Sequence, residues 1–96
     1  MGASATRLGD KSTGHDACSA VSLITGSPNV FINGKPAGRV GDSYDSHGCL
    51  LHPSHNDQII SGSSKVFING MPAARVGDRV SNNSTVGEGS DNVFIG

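Results

Sequence analysis

The chain says the same thing three times within 96 residues. Arg7-Leu8-Gly9-Asp10, Arg39-Val40-Gly41-Asp42 and Arg75-Val76-Gly77-Asp78 are copies of one phrase. Each copy is followed by a second phrase, Gly26-Ser27-Pro28-Asn29-Val30-Phe31-Ile32, Gly62-Ser63-Ser64-Lys65-Val66-Phe67-Ile68 and Gly89-Ser90-Asp91-Asn92-Val93-Phe94-Ile95. A unit that repeats is one supersecondary element that buries its apolar side against its siblings, so internal repetition constrains the fold more than any local signal. The third unit stops at Gly96, where the others run on into Pro36-Ala37-Gly38-Arg39 and Pro72-Ala73-Ala74-Arg75. Its missing half stands at the other end, where Ala3-Ser4-Ala5-Thr6-Arg7 leads into Leu8-Gly9-Asp10. The repeat is therefore circularly permuted, and the N-terminal segment is expected to pair with residues 92–95 and close a ring with few open strand edges.

Within each unit Val-Phe-Ile is a run of strong β-formers. Asn33-Gly34 and Asn69-Gly70 follow it directly and tolerate the positive φ needed at both corners of a type I′ turn. Pro36 and Pro72 lie two residues past the turns and cannot donate to a ladder, so the returning strands are short or at an edge. Alternation with period two sets Phe31, Phe67 and Phe94 on one face and Val30 with Ile32, Val66 with Ile68 and Val93 with Ile95 on the other. One face lines the shared core and the other meets solvent or a partner; the alternation does not say which is which. No stretch has a helical period, so the expected fold is all-β: one domain over residues 1–96, a pseudo-threefold arrangement of three β-hairpin repeats.

Fourteen glycines and four aromatic side chains leave little apolar area to bury, and a chain this small gains from a disulfide, a metal or a partner. The net charge is −1 and the seven Lys and Arg residues are scattered, which argues against a nucleic-acid groove. Nothing approaches the ~20 apolar residues of a membrane span, and the N-terminus lacks the apolar core of a secretory signal. The expectation is a chain that stays in the cytoplasm unless carried out on something larger.

The segments after each Gly-Asp differ. The first holds His15 and Cys18, the second His47, Cys49, His52 and His55, and the third only Ser81, Asn82, Asn83 and Thr85. Imidazole and thiolate are zinc ligands, and a closed four-ligand site contributes folding energy. His15 and His47 stand at the same offset after Asp10 and Asp42, with Asn83 at that offset in the third unit. The remaining ligands would come from the second segment. A Cys18–Cys49 disulfide, unliganded side chains, and iron in place of zinc are the other readings. Cys49 beside His47 and His52 also permits a nucleophilic pair, or a small zinc-dependent hydrolase with one coordination position open to water, but no residues elsewhere outline a substrate cleft. Asp10, Asp42 and Asp78 read as turn acceptors of backbone N–H groups, and Arg7, Arg39 and Arg75 as their structural partners.

Pro72-Ala73-Ala74-Arg75 and its variant Pro36-Ala37-Gly38-Arg39, set among the Gly-Asp and Gly-Ser phrases over essentially the whole chain, resemble the PAAR-repeat proteins. The resemblance implies a cone-like fold that caps the trimeric spike of a type VI secretion system or a contractile phage tail and sharpens it for membrane puncture. It also implies an apical zinc held by three histidines and one cysteine. His15, His47 and His55 match the family's histidine positions. Many members place the cysteine after the third Gly-Asp, where this chain has Asn82 and Asn83, so Cys49 is taken as the fourth ligand, with His52 and Cys18 in reserve. The implied partner is a trimeric valine-glycine-repeat or phage spike, bound by one monomeric copy per trimer. The implied route runs from the bacterial cytoplasm to a spike tip delivered outside the cell, with transient contact at the target membrane and no catalysis.

Overall fold

The structure, a computed structural model, describes residues 2–14, 19–49 and 52–96, with the backbone alone at 47–49 and 52–55. All of its regular structure among these residues is short antiparallel strand. Strand β1 (Ala3–Ser4) comes first, followed by the pair β2 (Phe31–Ile32) and β3 (Lys35–Pro36). The pair β6 (Phe67–Ile68) and β7 (Met71–Pro72) repeats that hairpin. Asn33 and Asn69 have φ of 54° and 53°, and Gly34 and Gly70 have 79° and 80°. Both corners are left-handed, which a type I′ turn requires and Asn-Gly supplies at little cost.

The third hairpin is made from the two chain ends, as the permuted repeat predicts. β10 (Phe94–Ile95) pairs with β1 in the register Ala3 to Ile95 and Ser4 to Phe94. Aligned on Ile32 and Lys35, which are paired in β2–β3, this register sets Gly96 at the place of Asn33 and Gly2 at the place of Gly34. The break in the ring therefore falls at a turn.

The Ala-x-Arg segments that follow the hairpins close the ring. Arg7 bridges Ala37, Arg39 bridges Ala73 and Arg75 bridges Ala5. Between them runs a cycle of backbone bonds: Gly38 N–H donates to the Thr6 carbonyl at 2.9 Å, Ala74 to Gly38 at 3.1 Å and Thr6 to Ala74 at 3.2 Å. Every partner in this cycle belongs to a different unit, so no unit satisfies its own backbone and the three are obliged to assemble. The Gly-Ser phrase packs against the same segments. A Cβ on Gly62 would stand 2.7 Å from the Ala73 carbonyl oxygen, and Gly89 meets Ala5 at 2.8 Å in the same way. That close approach explains a glycine in all three copies.

Two apolar clusters meet at the ring. One contains Ile32, Ile68 and Ile95 with Ala5, Ala37 and Ala73; the other contains Leu23, Tyr44, Ile59, Ala74, Val80 and Val86. Adjacent residues Ala73 and Ala74 belong to different clusters, so the axial strands form the floor between two small cores. The molecule measures 37 × 25 × 22 Å.

The face that turns inward is the isoleucine face. Phe31, Phe67 and Phe94 are 55%, 57% and 57% exposed. Two of the valines, Val30 and Val66, are exposed and do not follow their isoleucines into the core, whereas Val93 is partly buried against it. The strands are two residues long, and Val30 lies just outside β2, where its carbonyl receives the Ala37 N–H at 3.0 Å. Alternation extends no further than the strand that enforces it. Two of the variable segments after Gly-Asp also form hairpins: β4 (His47–Cys49) with β5 (His52–His55), and β8 (Arg79–Val80) with β9 (Ser84–Thr85).

Candidate functional site

Each Arg and Asp of the repeated phrase forms a two-point clamp inside its own turn. Arg39 Nε donates to Asp42 Oδ2 at 3.0 Å, Nη2 to Oδ1 at 3.0 Å, and the Arg39 backbone N–H also reaches Oδ2 at 2.8 Å. Arg7 with Asp10 and Arg75 with Asp78 repeat the arrangement. The hydrogen bond to its aspartate raises the pKa of each guanidinium further, against a smaller lowering by burial. These groups are structural, as the place of each Asp after a Gly in the turn predicted: all three carboxylates are engaged by their own arginines.

The same arginines reach into the next unit. Arg7 Nη1 donates to Asn33 Oδ1 at 3.0 Å and Arg39 Nη1 to Asn69 Oδ1 at 3.1 Å. A buried serine of the same unit as the arginine also meets each of these carboxamides, Ser90 on Asn33 and Ser27 on Asn69, both at 2.6 Å. In the third copy Ser63 Oγ donates to the Gly96 carbonyl at 2.5 Å, where the other units have an asparagine side chain. Arg75 lacks that asparagine and its side chain is 24% exposed, against 14% and 12% for Arg7 and Arg39. The turn asparagines are thus both corner residues and inter-unit staples, a second role that their turn chemistry did not reveal.

The outcome is a triplicated face. One exposed phenylalanine per hairpin stands beside a turn that a neighbouring unit holds by hydrogen bonds. Large apolar side chains left exposed at three equivalent positions make this face the candidate contact site.

The segments rich in His and Cys lead out of the second core. The β4–β5 hairpin sets His47 across from His55 and Cys49 across from His52, with a register shift between the two pairs. Two of the expected ligand residues are therefore backbone partners in one ladder, and the donor types in the hairpin's sequence, imidazole and thiol, are those that zinc takes. His15 and Cys18 lie outside the described residues. Among the described residues no group of three His, Cys, Asp or Glu side chains converges. A depression along the β8–β9 hairpin is lined by residues 79–85 and Ile60, none of them an imidazole, thiol or carboxylate, so it offers no general base.

Asn83, expected at the offset of His15 and His47, has a conformational task instead. Asn82 and Asn83 have φ of 60° and 63° and make the turn between β8 and β9. Asp57 escaped the sequence reading because it has no counterpart in the other units. It is 1% exposed and accepts from Asn82 Nδ2 at 2.6 Å and from Ser81 Oγ at 3.2 Å.

A triplicated Ala-x-Arg ring, hairpins of one type and a chain closed end to end define a permuted three-unit β structure. The chain belongs to the PAAR motif family, which matches residues 1–53 and 51–96 and so spans all of it. No characterised protein matches the chain.

Proposed function

We propose that this protein is the tip piece of a contractile injection machine, either a type VI secretion system or a phage tail, seated as one copy on the blunt end of a trimeric spike. PAAR proteins are structural rather than catalytic, and they sit at secretion spike tips on a valine-glycine-repeat spike. The observation that carries the reading is the set of Phe31, Phe67 and Phe94, exposed to nearly the same degree on three equivalent hairpins. A threefold partner offers three equivalent pockets, and a single chain with three equivalent projections fills them at once. No helix of the described residues is long and apolar enough to cross a membrane, and the reading needs none: the chain is made in the cytoplasm and carried out at the front of the spike, touching the target membrane in passing.

At the other end, zinc is held by His15, His47, His55 and Cys49, with His52 and Cys18 as the alternative fourth ligands. Its role there is to staple segments that have little apolar core of their own. The donor chemistry of the β4–β5 hairpin supports this reading.

The docking half is tested by light scattering of this chain mixed with a trimeric spike. One copy per trimer is expected, and Phe31→Ser, Phe67→Ser and Phe94→Ser should each weaken binding by about tenfold or more, as for aromatic anchors. Three copies per trimer, or three serine variants that bind like the parent, would refute it.

A further inference from the structure

The third unit has no histidine or cysteine after its Gly-Asp phrase, yet its turn is bound firmly to the segment that carries the other ligands. Asp57 makes that connection. It lies two residues past His55, at the end of β5, and its backbone carbonyl accepts the Tyr44 N–H at 2.8 Å. Its carboxylate is fully buried and takes the Asn82 carboxamide N–H at 2.6 Å and the Ser81 hydroxyl at 3.2 Å. Next to it, Ser81 N–H donates to the Gln58 carbonyl at 3.0 Å and the Gln58 N–H returns to Ser81 Oγ at 3.0 Å. On the opposite side Asn56 Nδ2 holds the Tyr44 carbonyl at 3.0 Å. Residues 56–58 are thus tied both to the segment that leads into β4, at Tyr44, and to the turn between β8 and β9.

A carboxylate buried this deeply loses its hydration, and strong donors must offset the loss. A packed apolar side chain would fill the space without that cost. What the carboxylate adds is direction, since it can draw a carboxamide and a hydroxyl of one turn onto a single point. We propose that Asp57 is a positioning residue for the metal centre: by clamping the turn of residues 81–83 to the end of β5, it holds the strand that carries His55 in its binding position before the metal arrives. In two units the metal ties the segments together; in the third this hydrogen-bonded clamp does so. The inference rests on the metal reading given above.

Zinc affinity is measured by competition with a chromophoric chelator for the parent chain, Asp57→Ala, Asp57→Asn and Asn82→Ala, together with the visible spectrum of each protein loaded with Co²⁺ and the melting temperature of each metal-free form. Asp57→Ala should weaken zinc binding by about 10- to 100-fold, as for loss of a group that orients a ligand, and shift the cobalt bands. Asn82→Ala should weaken it several-fold, and the double variant no more than Asp57→Ala alone, because the two share one bond. Asp57→Asn, which keeps an oxygen to receive the Asn82 N–H, should recover most of the affinity. Variants that melt earlier without metal but keep the parent's zinc affinity and cobalt spectrum would overturn the proposal and leave Asp57 a plain structural staple. Should Asp57→Ala fail to fold, an unchanged affinity in Asn82→Ala, whose altered side chain is exposed, gives the same refutation. A parent chain that takes up neither zinc nor cobalt overturns the metal reading itself, and this inference with it.

Discussion

Gly38 stands where the second unit has Ala74 and the third has Thr6, and the reason is its neighbour on the axis. A Cβ on Gly38 would lie 2.7 Å from the Thr6 methyl carbon and 3.0 Å from Leu23 Cδ2. The three axial positions share one small volume: Thr6 takes the largest part, Ala74 a methyl group, and Gly38 what remains. Thr6 is also anchored through its hydroxyl on the Glu88 carbonyl at 2.8 Å, so it does not turn aside. Gly38→Ala is therefore expected to cost about 1–3 kcal/mol by overpacking, and Thr6→Ala in the same chain should restore most of it; urea melts of the single and double variants decide. Tyr44 presents the opposite problem, a ring fully buried in the second core with a hydroxyl that has no hydrogen-bond partner among the described residues. Burial, with the charge of Asp10 a lesser cause, raises its pKa well above the ordinary 10.0. The unfolded chain then releases the phenolic proton first. Stability is complete below pH ~10 and falls as pH rises toward the folded value. Tyr44→Phe should flatten that alkaline loss relative to the parent in melts between pH 8 and 11, with little cost at neutral pH.

The hairpins are too short to stand alone, since a two-stranded pair of two-residue strands buries almost nothing. Their stability comes from the isoleucine each contributes to the first core and from the carboxamide that neighbouring units grip at the turn. The chain ends replace the third turn and keep its register, with the Gly96 carbonyl receiving the serine that elsewhere meets an asparagine. The position of the break is then a matter of connectivity and not of packing. A permutant with Gly96→Asn joined directly to Gly2, and new ends between Asn69 and Gly70, is expected to fold with a melting temperature within a few degrees of the parent. A permutant that is unfolded by circular dichroism would show that the open corner is required.

The whole chain has two cores of unequal regularity. The first is an isoleucine and an alanine three times over; the second mixes leucine, isoleucine, tyrosine, alanine and valine at positions that the repeat makes equivalent. Its hairpins β4–β5 and β8–β9 carry polar residues, and in the proposed reading metal supplies what apolar contact does not. Removing metal with a chelator should therefore melt the molecule unevenly. Amide hydrogen exchange is expected to rise by at least tenfold over residues 43–59 and 79–86 while the amides of Ala5, Ala37 and Ala73 stay protected, the behaviour of a fold whose parts open separately. Uniform exchange with and without chelator would mean that the second core holds without help.

Repetition made the architecture readable before any coordinates. Three copies of one phrase, the permuted ends and the two Asn-Gly turns sufficed for the hairpins, their ring closure and the all-β class, because each depends on spacing and local turn chemistry. The histidines and cysteines were legible as candidate zinc donors by residue type, and the pairing of His47 with His55 adds a backbone neighbourhood that sequence spacing did not supply. What stayed hidden involved contacts between units. Alternation separated phenylalanine from isoleucine without saying which would be buried, since both faces are apolar and the choice falls to the volume left on the threefold axis, which accepts Ile32, Ile68 and Ile95 and leaves the bulkier rings outside. Asn33 and Asn69 read as turn formers, and Ser27, Ser63 and Ser90 only as part of the repeated Gly-Ser phrase, yet each contacts a unit distant in sequence. Asp57 and Asn82 carry no repeat signal at all. Turn chemistry acts through neighbours in the chain and leaves its mark there, whereas a hydrogen bond spanning 25 residues exists only after closure of the ring has brought its two ends together.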